Sequence, residues 1–243
     1  IEELEKNYLK IRNDKNTDLI IIRPQDANEY LSEKIDCAIC GLDWIYETQT
    51  ENFKPELIGL LDYGQARLTF ALPNKSNCNS IDDFISDQNG KPIKIYTELT
   101  RLTQDAILNS KAYQERFGNT KPKVVLGSYI FGENEEVEII RTFGGTEGFL
   151  ERRIRNENEI ISDITQTGSS FRKYGLKPLT PDIFSSQVGV FINTNIPEWK
   201  KEKANDFWRN MKGVLDAKKY VNIKFNVKKE NCKVIEDYLQ KKN

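Results

Sequence analysis

Short apolar runs rich in β-branched residues alternate with helix-like stretches along most of this chain, and that rhythm restricts the fold more than any other feature. Asp18-Leu19-Ile20-Ile21-Ile22-Arg23 closes at Pro24 and has the length and composition of a buried strand. Asp26 is placed to cap the following helix, whose apolar positions include Ala27, Tyr30 and Leu31. Ile35-Asp36-Cys37-Ala38-Ile39 is the next strand, ending at Gly41, and Asp43 opens a helix carrying Trp44, Ile45 and Tyr46. Strand, helix, strand, helix is the pattern of an α/β protein. Ala66 to Pro73 alternates as a further strand, and Ser80 starts a capped helix through Ile85.

The second half continues the pattern. Pro92 to Thr97 is a strand, followed by a helix expected from about Thr100 to Lys111. Pro122 to Gly132 and Glu136 to Arg141 read as two extended strands joined by a glycine-containing turn, which predicts a β-hairpin insertion within 112–140. Gly145 starts a helix containing Phe149 and Leu150, and Val188 to Ile192 is a strand returning to the first lobe. From Pro197 the composition shifts to charged helix, in which Trp199, Phe207, Met211 and Leu215 recur at helical spacing and are expected in the core. Tyr220 to Val227 alternates as a half-exposed strand, and Glu230 to Leu239 is an amphipathic helix.

A chain of 243 residues can bury a sizeable core, enough for two lobes and a small appendage. With 36 Lys+Arg against 37 Asp+Glu, the net charge of −1 supplies no overall field toward nucleic acid or an acidic membrane. Apolar runs stay well short of the roughly 18 residues of a membrane span. The first residues lack the pattern of a signal peptide, so a soluble, cytoplasmic protein is expected, with no nucleic-acid or membrane partner. The 4 cysteines form no disulfide framework; Cys37-Ala38-Ile39-Cys40 has metal or redox spacing but lies in an apolar strand without a second pair. The count of 0 histidines removes the usual general base near neutral pH, so chemistry must rest on carboxylates, cations, hydroxyls, backbone dipoles or a bound ion.

The stretch Asp163-Ile164-Thr165-Gln166-Thr167-Gly168-Ser169-Ser170 follows the apolar Ile160-Ile161 and joins a carboxylate, four hydroxyls and a glycine. A carboxylate at a strand's carboxyl end, followed by a short polar loop, occupies the usual ligand position of an open α/β sheet. Gly168 lets amide N–H groups converge on one anion, Thr167, Ser169 and Ser170 add donors, and a helix starting near Ser170 points its positive end at the same spot. A sugar phosphate fits, with Asp163 accepting from ribose hydroxyls. The same residues also suit a strand running into a simple Ser/Thr N-cap, and the loop by itself does not separate the two.

This loop resembles the phosphoribosyl-diphosphate loop of the ATP phosphoribosyltransferase family. Ile21 to Asp26, Ala38 to Trp44, Leu60 to Gly64 with Ala66 to Leu68, Thr97-Glu98-Leu99 with Leu102-Thr103, and Phe143 to Glu147 resemble further family motifs in the same order. The resemblance implies an α/β, two-lobed, periplasmic-binding-protein-like catalytic core with a partial βα regulatory appendage at the C-terminus. The implied domains are 1–90 plus 178–196 as the first lobe, 91–177 as the second lobe with the loop and the hairpin insertion, and 197–243 as linking helix and partial regulatory domain. The implied reaction transfers the phosphoribosyl group of phosphoribosyl diphosphate to N1 of ATP with release of pyrophosphate, using Mg2+, as the first step of histidine biosynthesis.

By the same resemblance, Asp163, Thr165, Thr167, Gly168, Ser169 and Ser170 hold phosphoribosyl diphosphate, and Asp62, Tyr63, Thr97, Glu98, Leu99 and Glu147 border ATP. No side chain is assigned as nucleophile or base. Arg67 and Arg172 offset substrate charge or serve as surface cations. A homo-oligomer, dimer or hexamer, and feedback by histidine are implied as well. Gln166 stands where the family carries an acidic residue. The chain is expected to lack the family's opening strand and basic loop, Ile1 lying already in the following helix, and to stop short of the end of the regulatory domain. A two-lobed ligand-binding module without catalysis, or an inactive subunit of a larger complex, is the rival expectation.

Overall fold

A computed structural model describes the whole chain except positions 1, 6–7, 12–13, 89, 154–156, 222–223, 225 and 241–243. The elements run β1 (Glu2–Glu5), β2 (Tyr8–Ile11), β3 (Asp14–Ile20), α1 (Ala27–Glu33), β4 (Cys37–Gly41), α2 (Leu42–Thr48), β5 (Glu56–Leu60), β6 (Ala66–Pro73) and α3 (Ile81–Asp87). Then come β7 (Ile93–Thr97), α4 (Thr100–Leu108), α5 (Lys111–Phe117), β8 (Pro122–Leu126), β9 (Tyr129–Phe131), β10 (Asn134–Arg141), α6 (Glu147–Arg153) and β11 (Glu159–Thr165). The chain continues through α7 (Ser169–Lys173), β12 (Leu176–Pro178), β13 (Phe184–Ser186), β14 (Val188–Ile192), α8 (Glu198–Ala217) and α9 (Cys232–Gln240). Among the described residues, no helix is long and apolar enough to cross a membrane.

Two sheets build the two-lobed α/β core. The smaller has the order β4-β14-β5, with β14 antiparallel to both neighbours. Its apolar face packs with α1 and α2, gathering Ala27, Leu31, Ala38, Cys40, Ile45 and Phe191. The larger sheet has the order β12-β6-β11-β7-β10-β8-β9, with β13 also paired to β6. Its centre is parallel, β7 lying between β10 and β11. These strands are buried on both faces and therefore read as near-continuous apolar runs. Phe70, Ile93, Ile95, Val137, Ile139 and Ile160 form the main core with Phe84, Ile107 and Tyr113 from α3, α4 and α5. Each such side chain contributes about 1.5–3 kcal/mol by leaving water.

Several expectations change. β6, expected with the strands around it in the first lobe, pairs in the larger sheet, antiparallel to β11, and β13 and α3 go with it. The chain crosses between sheets at 61–65 and again at Gln187. Local alternation marks β6 as a strand but carries no information about which sheet will pair with it. The expected hairpin of 122–132 with 136–141 is also different. β8 and β9 form a small hairpin around Gly127, φ +63°, whereas β10 runs parallel to β8 and joins β7, placing this segment inside the main sheet.

The N-terminal segment, expected in a helix, forms an antiparallel sheet of order β1-β2-β3. Pairing of Tyr8 with Ile20 and Leu9 with Leu19 overrides a weak local preference. The 18–23 run is accordingly not a central strand: β3 is an edge strand that ends at Ile20, and Ile21 is 60% exposed. The helix expected over 100–111 stops at Leu108, and Ser110 caps a separate α5 through the Tyr113 amide at 3.2 Å. Asp26 makes no side-chain cap, whereas Ser80 forms a full capping box with Asp83.

By internal packing the chain divides into Ile1–Trp208 and Arg209–Asn243. The second unit holds the end of α8 and, after it, α9. The strand expected over 220–227 is absent at its described positions, and 222, 223 and 225 lie outside the described residues. Of the α8 residues expected in the core, Trp199 is 61% exposed and Phe207, Met211 and Leu215 are half-buried, whereas Ala204 is buried.

Within the first unit, Gly59 on β5 lies directly under the Trp208 indole: an added Cβ would come within 2.1 Å of the ring. Gly59→Ala is therefore expected to destabilise the protein by about 1–3 kcal/mol through overpacking. A urea titration checks this, with the midpoint falling at unchanged slope.

Candidate active site

Three chain segments far apart in sequence meet because β7, β10 and β11 are adjacent and parallel. Their carboxyl ends lie together, the position where open α/β sheets bind ligands. Glu98 follows β7, Glu147 begins the helix after β10, and Asp163 lies near the end of β11. Asp163 is drawn into a mutual interaction with both glutamates. Burial, then the charge of Glu147, pushes its carboxyl up to about 7, with Glu98 and a hydrogen bond to Glu147 adding to the rise. The Ile164 amide donates to Asp163 Oδ1 at 2.7 Å and opposes that shift. A carboxyl group poised near neutrality at the carboxyl ends of parallel strands makes a candidate functional site.

The polar loop after β11 is braced from within. Gly168 has φ +69°, a left-handed conformation that suits glycine, and its amide donates to Thr165 Oγ1 at 2.8 Å. Arg172 Nη1 donates to the Thr167 carbonyl at 2.9 Å, and a Cβ on Gly168 would lie 3.3 Å from that same nitrogen. Thr167 and Ser169 are exposed, Ser170 is half-buried, and Thr165 is buried. α7 starts at Ser169, so the first amides of this turn have no carbonyl partner within the helix. Thr165 thus serves as an internal brace, and the outward donors come from Thr167, Ser169 and Ser170.

The remaining expected residues divide. Thr97 and Leu99 are buried: Thr97 Oγ1 accepts from the Leu99 amide at 3.0 Å and joins Thr103 and Ser162 in a hydroxyl chain beneath the site. They support the strand end, while Glu98 between them is half-exposed. Asp62 and Tyr63 sit at the crossover between sheets. Asp62 has φ +51°, Tyr63 is 71% exposed, and the Tyr63 carbonyl accepts from the Val188 amide at 3.0 Å. A cavity of about 300 Å³ joins this crossover to the loop, with Gln65, Arg67, Ser185 and Gln187 on one side and Gln166 on the other. Gln187 Oε1 is buried there without a hydrogen-bond partner. Arg67 pairs with Asp182 at 3.4 Å.

Glu47, on α2, was not foreseen from sequence. Its carboxylate accepts from Thr100 Oγ1 at 3.1 Å and from the amides of Arg101 and Leu102 at 2.9 and 3.0 Å, while burial pushes its carboxyl upward. The available signal was Leu99, which stands at the N-cap of α4 and has no side chain able to cap it. Cys37 and Cys40 lie three apart on β4, hence on opposite faces, and burial raises both thiols to about 11.

The oxygen-only set of Asp163, Glu98 and Glu147 suits a hard cation such as Mg2+. Among the described residues no three side chains close into a metal-binding group. The pairing of Asp163 with Glu147 is of the kind that holds Mg2+ through one or two carboxylates, the remaining ligands coming from substrate phosphates and water.

A family model described as ATP phosphoribosyltransferase matches residues 23–213. The ATP phosphoribosyltransferase of Pelotomaculum thermopropionicum is 29% identical over 231 residues, covering 91% of this chain and 67% of the relative. That of Methanocaldococcus jannaschii is 29% identical over 227 residues, with the same 91% and 67% coverage. Among solved structures, the ATP phosphoribosyl transferase (HisG:HisZ) complex from Thermotoga maritima is similar in fold, with a TM-score of 0.62 at 21% identity over 89% of this chain and 87% of that one. Since the family match runs through both sheets and the Asp163 loop, the chain belongs to the ATP phosphoribosyltransferase family, the phosphoribosyl-transfer enzymes that open histidine biosynthesis.

Proposed function

We propose that the strand ends of β7, β10 and β11 form the site at which phosphoribosyl diphosphate meets ATP. The observation that carries this reading is the convergence of Asp163, Glu98 and Glu147 beside a left-handed glycine loop with outward hydroxyls. In the proposed arrangement Thr167, Ser169 and Ser170 hold the 5′-phosphate, Gly168 permits close backbone approach, and Thr165 keeps the loop in shape. Arg172, fixed by the Thr167 carbonyl, offsets phosphate charge. Asp163 accepts from the ribose hydroxyls. Glu98, Glu147, Asp62 and Tyr63 border the nucleotide, supported from beneath by Thr97 and Leu99.

Transfer to N1 of ATP breaks the bond from C1 to pyrophosphate and builds positive charge on an oxocarbenium-like ribose. Ionised Asp163 stabilises that charge at short range, and the loop and α7 fix the sugar so that the two substrates meet in line. No covalent nucleophile is needed, which accommodates a chain without histidine. Mg2+, held by substrate phosphates with Asp163, Glu98 or Glu147, would neutralise charge on the departing pyrophosphate. The proposal extends to a homo-oligomer, dimer or hexamer, and to feedback by histidine, both on the strength of the family resemblance. It also keeps a C-terminal regulatory segment after α8.

Asp163→Asn and Gly168→Val are each expected to weaken phosphoribosyl diphosphate binding by about 10–100-fold with the fold retained, since one removes a charged acceptor and the other blocks close backbone approach. Calorimetric titration checks this, and unchanged affinity in either variant overturns the assignment. Pyrophosphate release that depends on ATP tests the reaction; binding without turnover would favour a ligand-binding module.

The position of the Asp163 titration near 7 gives a second expectation. Binding should weaken as pH falls through about 7, because protonation removes the charged acceptor. Folding stability should move the other way. Between 3.8 and about 7 the folded chain holds a proton that the unfolded chain has released, so stability falls as pH rises and levels off above. Asp163→Asn should flatten both profiles, gaining most over the parent above pH 7, by up to about 4 kcal/mol at ~1.4 kcal/mol per unit.

A further inference from the structure

The two lobes are joined by more than their covalent crossovers. α2 packs on the smaller sheet, where Ile45 belongs to the cluster with Ala38, Leu31 and Phe191. α4 packs on the larger sheet, with Ile107 in its core and Thr103 bonded to Ser162 of β11. α4 begins at Thr100, two residues after Glu98, so its first turn sets the strand end that faces Asp163. Yet α4 has no cap of its own. Leu99 stands at the N-cap, and the amides of Arg101 and Leu102, the two that an N-cap side chain normally satisfies, both go to Glu47 of the other lobe. The Thr100 hydroxyl donates to the same carboxylate, and the Arg101 guanidinium reaches the Gln49 carbonyl at the end of α2. At the other end of α2, Asp43 and Ser186 are bonded to each other, and the Leu42 amide donates to the Gln187 carbonyl at 3.0 Å. α2 is thus clasped at both ends to the larger-sheet lobe.

We propose that Glu47 is a positioning residue: by capping α4 from the other lobe, it fixes the setting of the lobes in which Asp62 and Tyr63, which follow β5 of the smaller sheet, and the Glu98 strand end border one nucleotide. Glu47 touches no substrate. It acts through Arg101 and Leu102 on α4, and through α4 on the Thr97-Glu98-Leu99 segment. Loss of the cap leaves the competent setting fractionally populated, and the apparent affinity of any ligand that spans both lobes falls by that fraction. A ligand held by the larger-sheet lobe alone does not feel the change. The substrate consequence rests on the proposed function above, whereas the cap itself does not.

The test is Glu47→Gln in the full chain, a near-isosteric change that puts an amide group against two backbone donors. Hydrogen exchange at the Arg101 and Leu102 amides is expected to accelerate about tenfold while exchange in β7 and β11 is unchanged. The KM for ATP should rise about tenfold at nearly constant kcat, with phosphoribosyl diphosphate affinity within about twofold of the parent. A merely structural role would instead lower the active fraction and hence kcat, leaving both KM values alone. Unchanged exchange at Arg101 and Leu102, or a loss confined to kcat, overturns the proposal. Failure of the parent chain itself to bind phosphoribosyl diphosphate counts against the loop assignment, and the exchange rates then decide the cap by themselves.

Discussion

The parallel pairing of β7 with β10 on one side and β11 on the other is the constraint on which the rest of the site depends. Parallel strands place their carboxyl ends on the same edge, so whatever follows each strand is delivered to one place. Here that is Glu98, the Glu147 turn and the Asp163 loop, which come from three separate stretches of the sequence. Burying Asp163, and doing so beside Glu147 and Glu98, is costly, and the structure answers through protonation: Asp163 stays partly neutral near pH 7. A site with this bias favours a cationic or proton-donating ligand. An electron-poor ribose with its hydroxyls has that character.

The second lobe completes the cleft through a small number of strong, specific contacts. Glu47 illustrates the economy of the arrangement. One buried carboxylate satisfies the exposed amides of α4, a helix whose own N-cap residue cannot, and at the same time ties α2 to a different sheet. Burial raises its proton affinity while three donors stabilise the charge, and neither effect could exist in an isolated α2. The loop is secured on the same principle. The Gly168 amide is spent on Thr165 and the Arg172 guanidinium on the Thr167 carbonyl, so the backbone shape is fixed before any ligand arrives. Preorganisation of that kind reduces the ordering cost of binding.

Much of this was legible one segment at a time. The strands β4, β6, β7 and β14 and the capping box at Ser80 follow from local composition, because apolar alternation and cap chemistry act over only a few residues. The Asp163 loop was legible for the same reason, its glycine and hydroxyls being contiguous. Pairing was less so. β6 looked like a member of the first lobe because it lies next to β5 in sequence, and β8 with β10 looked like a hairpin because both are extended and separated by glycine. In both cases the partner was chosen by a core assembled from distant segments. The N-terminal strands show local preference losing to pairing with Leu19 and Ile20.

By itself, the sequence determined the α/β class, the polar loop after Ile161 and the absence of imidazole chemistry, since each is a property of residue type or of a short contiguous pattern. Only the tertiary structure decided that Thr165 faces inward as a brace while Thr167 and Ser169 face out, that Glu147 meets Asp163 rather than solvent, and that Glu47 caps a helix in the other lobe. Those outcomes depend on which strands pair and in which direction. Pairing direction is fixed by burial across the whole sheet, a quantity that no local stretch of the chain contains.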